Sequence, residues 1–154
     1  VTIFTASKQK EFRVELVVTQ GDITPYGSAS FINYIRWYGI ARDALLQWRN
    51  LGLDDSLKNF LEIDVPFCNV QYKRQAMLQD EIVVKVNSAN ITENSFSLLF
   101  ILIKKSDALL ISLGKQDIRL RDSRTGEVLS LPEKLVNEVL RPINVDESAM
   151  VFKF

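Results

Sequence analysis

One segment constrains the fold more than any other. From about Ser30 to Arg49 the apolar residues recur at helical spacing: Tyr34, Tyr38, Ala41, Leu45 and Trp48 fall four, three, four and three residues apart. Phe31, Ile32, Ile35 and Ile40 add apolar surface on other sides. A helix apolar over so much of its circumference is expected to be buried rather than laid on a surface. The rest of the chain must then be able to surround it.

The flanking sequence supplies the means. "EFRVELVVTQ" (Glu11 to Gln20) mixes alternation with β-branched residues and reads as a strand ending at Gly21, followed by a loop from Asp22 to Gly27 punctuated by Pro25 and Gly27. After the polar stretch "NLGLDDSLKN" come four strand candidates, Phe60 to Arg74, Glu81 to Asn90, Ser95 to Lys105 and Leu109 to Arg121, joined by "LQD", "NITEN" and "KKSD". "DSRTGE" (Asp122 to Glu127) is a further turn into a short edge segment. "SLPEKLVNEVLRP" then predicts a second helix, with Ser130 as N-cap, Glu133 completing a capping box and Pro142 as the stop. Strand, buried helix and a run of antiparallel strands make an α+β pattern, in a single domain over residues 1–154.

Residue types exclude much chemistry. There is no histidine, which removes Ser-His-Asp and Cys-His catalysis, and the one cysteine, Cys68, offers no thiolate cluster for a metal. Cys68 lies in a strand-like apolar context and is expected to be packed rather than reactive. No phosphate loop of the Gly-x-x-x-x-Gly-Lys type and no Gly-x-Gly-x-x-Gly fingerprint occurs, and no cofactor is implied. Formal net charge is zero without a basic run, against a nucleic-acid partner. The longest apolar run, "FSLLFILI" from Phe96, is far short of the ~20 residues a membrane helix needs. A soluble cytoplasmic domain without a membrane partner is expected. Any activity must use carboxylates, arginine, hydroxyls, amides or backbone groups.

Particular residues add a family resemblance. "Gly27-x-x-x-Phe31-x-Asn33-Tyr34-x-x-Trp37", with Ala41-Arg42 following, resembles the signature of hotdog-fold thioesterases of the 4-hydroxybenzoyl-CoA thioesterase type. "NVQY" (Asn69 to Tyr72), "QDEIVV" (Gln79 to Val84) and "TGEVLSLPEKL" (Thr125 to Leu135) are similar to that family's later segments in order and spacing. The resemblance covers roughly Glu11 to Arg141 and implies an antiparallel sheet wrapped around one long central helix. It also implies hydrolysis of an acyl thioester carried by coenzyme A or an acyl carrier protein.

The departures are as informative. Family members usually carry an aspartate three residues before the loop glycine, and here that position is Thr24. Related enzymes place a glutamate on the helix two residues after the tryptophan, and here that position is Gly39. Asp22 matches the family's earlier loop acid, with uncertain reach. The sequence is more similar to a branch that also lacks the acid, the thioesterases of enediyne polyketide pathways. That branch has an uncharged polar residue at the Thr24 position, usually asparagine, with the Tyr34, Trp37, Gly39 and Arg42 positions as "Tyr34-Ile-Arg-Trp37-Tyr-Gly39-Ile-Ala-Arg42" has them. Its members release β-ketoacyl chains from a carrier protein, and the freed β-keto acid can lose carbon dioxide.

These residues define an expected site. Arg42, Thr24 and Tyr34 are the catalytic candidates, and Gly27, Phe31, Asn33 and Tyr38 the substrate-binding ones. Backbone N–H groups at the start of the Ser30 helix suit a tetrahedral oxyanion, Arg42 a β-keto or carboxylate oxygen, and Thr24 a water. Tyr34 and Arg42, rotated by roughly 80° about a helix of ~3.6 residues per turn, are placed where they could line one wall. Each has a bland alternative: Arg42 in a carboxylate pair, Tyr34 as a packed aromatic, Thr24 as a turn residue, Asn33 as a local hydrogen-bonding group, Arg36 and Arg49 as solvated charges. A hotdog dehydratase is disfavoured because that chemistry relies on histidine. A binding module that has lost its acid is the competing reading. A homodimer or homotetramer with sites between subunits is expected, because a lone subunit leaves a sheet edge open.

Overall fold

The computed structural model describes residues 3–6, 11–47 and 53–149. Six strands form one antiparallel sheet: β1 (Ile3–Ala6), β2 (Phe12–Val17), β3 (Leu61–Tyr72), β4 (Glu81–Ala89), β5 (Phe96–Lys104) and β6 (Leu110–Asp122), in the order β1-β2-β4-β5-β6-β3. The long helix α1 (Ile32–Leu46) lies in the concave face, and a short helix α2 (Asp55–Lys58) precedes β3. This is the hotdog arrangement.

Strand register explains why the helix fits. One row of paired residues crosses five strands: Phe12, Val86, Phe100, Gly114 and Val70. Four members carry apolar side chains that pack in the core under α1. The fifth is Gly114, and the Tyr38 ring stands where its side chain would be, so that an added Cβ would collide with ring carbons. Tyr38 stacks on Phe100 with centroids 4.7 Å apart, and its hydroxyl bonds Ser112. From α1, Tyr34, Trp37, Tyr38, Ala41, Leu45 and Leu46 face this core.

Burial of the helix is one-sided, not all-round as its composition suggested. Phe31, just before α1, is 70% exposed, and Ile32 and Ile35 on its outer side are 62% and 42% exposed. Trp48 and Arg49, expected to close the helix, lie outside the described residues. Leu46 is followed by Gln47 with φ 29°, whose N–H bonds the Asp43 carbonyl.

Two further expectations are corrected. Ser130 does not cap a second α-helix: the Leu131 N–H bonds the Glu93 carbonyl, and Pro132, which lacks an N–H, stands ahead of the first turn. The segment Leu135–Leu140 is a π-helix running into a 3₁₀ turn at Arg141–Ile143. Its end is held by Ser88 Oγ donating to the Leu140 carbonyl at 2.6 Å and by the Asn87 amide donating to Ile143 at 3.1 Å. Cys68, expected to be packed, is exposed, because β3 is an edge strand with no neighbour on one side. Desolvation chiefly raises its thiol pKa, with Gln116 and Arg42 opposing. Pro66 sits in β3 where the register with β6 shifts between Asp64 and Phe67, a bulge on an edge where a missing donor is tolerated.

Candidate active site at the start of the long helix

A cleft of about 520 Å³ opens at the N-terminal end of α1. Two loops build one wall. Thr24 to Gly27 forms a turn closed by the Gly27 N–H on the Thr24 carbonyl at 3.0 Å, with Gly27 in the left-handed region at φ 83°. The chain then pairs with the β3–β4 connection through a Ser28–Met77 bridge and through the Ala29 N–H donating to the Ala76 carbonyl at 2.7 Å.

Aromatic rings line the opposite side. Tyr34 and Tyr72 meet edge to face with centroids 5.0 Å apart, and Phe31 meets Tyr72 at 6.5 Å in the same manner. Tyr34 is 2% exposed, and its hydroxyl is occupied on both sides: it accepts from the Ala76 N–H at 3.0 Å and donates to the Arg74 carbonyl at 3.4 Å. Desolvation pushes its pKa up against the opposing Ala76 N–H, so the phenol is neutral at pH 7. Tyr34 therefore ties α1 to the connection that walls the cleft. Tyr72, raised in the same way, donates to the Phe31 carbonyl at 3.1 Å.

Thr24, Ser28 and Ser30 bring hydroxyls to the cleft. The Thr24 hydroxyl is within 3.3 Å of Ser28 Oγ and accepts from the Tyr26 N–H at 3.3 Å, so it also shapes the turn. The first acceptor pairs of the helix start are Asn33 N–H to Ser30 and Tyr34 N–H to Phe31. The N–H groups of Phe31 and Ile32 have no acceptor among the described residues.

Several expected site residues do other work. Asn33 donates to the Asp22 carbonyl at 2.7 Å, holding the loop on the helix. Gly27 gives its N–H to the Thr24 carbonyl and its carbonyl to the Leu78 N–H at 3.1 Å. Tyr38 is 0% exposed and bonded to Ser112, so it has no surface for a substrate, and its assignment to substrate binding is corrected. Asp22, the one loop acid, is 6% exposed. One of its oxygens accepts from Thr19 N–H and Oγ at 2.8 and 2.9 Å, and the other pairs with Arg36 at 2.9 Å. A carboxylate so occupied is a scaffold, not a free base; Arg36 is correspondingly an ion-pair partner as well as a solvated charge.

Arg42 is not at this cleft. It lies eight residues beyond Tyr34, roughly 12 Å along the helix at ~1.5 Å per residue, so the two do not share a wall within one chain. Its Nε donates to Asp43 at 2.9 Å and Nη1 to Gln116 Oε1 at 3.3 Å, and Gln116 is 2% exposed. Residues that sequence reasoning did not assign to the site are Tyr72, Ser28, Ser30, Lys73 and Arg74, all lining the cleft. The signal for Tyr72 was its place at the end of a strand-like run, but its pairing with Tyr34 spans a separation that no local pattern encodes.

Comparison with known proteins agrees with this architecture. A family model for the Thioesterase-like superfamily matches residues 18–139. No curated protein matches the chain by sequence. Among solved structures, the dynemicin thioesterase superposes with a TM-score of 0.78 at 19% identity, covering 88% of this chain and 98% of that one. Slr0204, a 1,4-dihydroxy-2-naphthoyl-CoA thioesterase from Synechocystis, superposes with 0.72 at 14% identity, covering 84% and 95%. The gentisyl-coenzyme A thioesterase BH1999 gives 0.69 at 19% identity, covering 80% and 98%. At such identities the likeness to these structures is one of fold. The sheet and its enclosed helix are the hotdog fold of these structures. The chain belongs to the Thioesterase-like superfamily.

Proposed function

We propose that the protein hydrolyses an acyl thioester, with a β-ketoacyl or polyketide chain on an acyl carrier protein or coenzyme A as substrate, and that it does so without a catalytic carboxylate. The observation that carries this reading is the cleft at the start of α1, lined by Phe31, whose backbone N–H has no acceptor among the described residues, beside an aromatic wall. Such donors stabilise a carbonyl oxygen as it becomes an oxyanion. Water adds to the thioester carbon and gives up a proton to solvent, the tetrahedral adduct collapses, and the carbon–sulfur bond breaks, leaving the acid and a thiolate that is protonated by solvent. The departing thiolate, from a thiol of pKa ~8.5, needs no strong acid to leave. Thr24 or a neighbouring hydroxyl orients the water.

Arg42 enters this scheme through assembly. β3 is a twelve-residue edge strand whose outer side is unpaired among the described residues, with Phe67 43% and Tyr72 46% exposed. Long unprotected edges associate. Antiparallel pairing of β3 with its copy about a two-fold axis runs the two α1 helices in opposite directions. The Arg42 half of one helix then lies beside the cleft half of the other, where its planar fork can hold a β-keto or carboxylate oxygen. Sedimentation at micromolar concentration is expected to show a dimer or a tetramer; a monomer would remove this route to the cleft.

Release of thiol and acid from a panel of acyl-CoA and acyl-carrier thioesters tests the reading. Binding without turnover across the panel would favour the non-catalytic module. The pH profile is a second check. With no histidine in the chain and Asp22 occupied, hydrolysis is expected to rise with hydroxide and to show no inflection between about pH 6 and 7. A bell with an acid limb near 6 would assign a base to a carboxylate.

A further inference from the structure

The charges around the cleft are not arranged like those on the rest of the surface. Most described Lys and Arg side chains have a carboxylate within salt-bridge distance, among them Arg36 with Asp22, Arg42 with Asp43, Lys104 with Asp80, Lys115 with Glu147 and both Arg119 and Arg121 with Asp64. Lys73 and Arg74 have no carboxylate partner among the described residues, and both are exposed at the cleft. Arg74 Nη1 donates only to the Leu110 carbonyl, at 3.3 Å, which leaves its charge uncompensated. The lining of the cleft contains no acidic residue at all. Two other described cations, Lys134 and Arg141, also lack a salt bridge, but Lys134 stands next to Glu133 in the chain and Arg141 shares its recess with Glu93 and Glu133. Two adjacent uncompensated cations, with Ser28, Ser30 and Thr24 hydroxyls in the same cavity, are a receptor for an oxyanion.

We propose that Lys73 and Arg74 form an anion subsite at the cleft, taking an oxyanion group carried by the thioester ligand. This rests on the thioesterase reading for the nature of that ligand. Two parts of such a molecule can supply the group: a phosphate on the thiol side, as in a phosphopantetheine arm, or a carboxylate on the acyl side. The position of the cations fits either. They follow directly on Tyr72 at the end of β3, so the aromatic wall and the charged group are consecutive in the chain. The aromatic side takes the apolar part of the ligand while Lys73 and Arg74 fix its charged end.

The test uses the full-length protein and a Lys73→Gln/Arg74→Gln variant, with Arg74→Lys as a second variant that keeps the charge. The first arm compares kcat/KM for one acyl group on coenzyme A and on N-acetylcysteamine, which lacks the phosphates. If the thiol phosphate is the ligand, the ratio of the two is expected to fall about tenfold or more in the double variant, the scale for losing a hydrogen bond to a charged group, and to stay near the wild-type value in Arg74→Lys. The second arm compares a carboxyl-terminated acyl chain with its neutral methyl ester on the same thiol; a fall confined to that ratio assigns the subsite to the acyl carboxylate. Ratios unmoved in both arms would overturn the proposal. Calorimetry with free coenzyme A and with the free dicarboxylic acid separates this result from failure of the hydrolase reading. Binding that weakens with salt, and weakens about tenfold or more in the double variant, supports the subsite even if no thioester is turned over. Turnover by a folded double variant with wild-type ratios and wild-type binding rejects the subsite while leaving the hydrolase intact.

Discussion

Replacing Arg42 with alanine is expected to lower acyl-thioester turnover by roughly 10 to 1000-fold, the range for removing an electrostatic contact to the transition state, while the protein still folds and assembles. The structure supplies the reason to expect a small folding cost. The Arg42–Asp43 pair involves an aspartate side chain that is 52% exposed, and pairs of that kind contribute about 0–1 kcal/mol. The Gln116 bond is longer, at 3.3 Å, although Gln116 is buried and loses a donor. Lysine is a poor replacement, because one ammonium cannot meet Asp43 and Gln116 while presenting a planar pair of donors to a substrate oxygen. Thr24→Ala is expected to cost less, since water can replace a hydroxyl that only orients another water. The competing structural role for Arg42 gives a different pattern: a lowered melting temperature or a broken dimer, with activity lost only in proportion to folded protein. Turnover and thermal stability measured on the same purified variants separate the two. A fully folded Arg42→Ala dimer with unchanged turnover would take arginine out of the mechanism.

Gly114→Val is expected to be the most damaging single change to the fold. A Cβ at Gly114 meets the buried Tyr38 ring, which is fixed by its stack on Phe100 and its bond to Ser112. Overpacking a tight core costs about 1–3 kcal/mol and sometimes more, and each kcal/mol lowers the melting temperature by roughly 2–4 °C for a chain of this size. Gly114→Ala should already show the effect. Shortening the ring by Tyr38→Leu should recover part of it in the double variant, giving a coupling between the two positions that separate substitutions cannot produce. A Gly114→Ala protein that melts with the wild type would show that the helix is not seated by this contact.

The two substitutions mark what could be read from the sequence. The helix, the four strands from Phe60 onward and the turn at Gly27 were legible, because periodicity and turn chemistry are local properties. Gly114 was not: nothing in "SLGKQ" announces that its partner is a tyrosine far upstream, since a close approach between helix and sheet leaves no periodic trace. The π-helical turn was missed for a related reason. Ser130 and Glu133 spell a capping box, but the Leu131 N–H is taken by the Glu93 carbonyl on the β4–β5 connection, and the helical turns begin past Pro132. Thr24, Tyr34 and Phe31 are singled out by the order of residues around Gly27, and the structure brings them to one cleft. Asn33 and Tyr38 share that order yet face other partners, because the helical repeat turns them toward the loop and the sheet. Lys73 and Arg74 carried no motif. The subsite proposed for them rests on the lack of a carboxylate partner among the described residues, which only folding reveals.

The proposed hydrolysis of a thioester at a cleft lined by no acidic residue can be observed directly. Mass spectrometry of a reconstituted β-ketoacyl-carrier substrate tests it most directly. The expected result is many turnovers per protein, giving carrier with a free thiol and free β-keto acid or the ketone left by its loss of carbon dioxide, with product formation suppressed by Arg42→Ala. An acyl chain that stays on the carrier, in a complex that forms but never turns over, would contradict it.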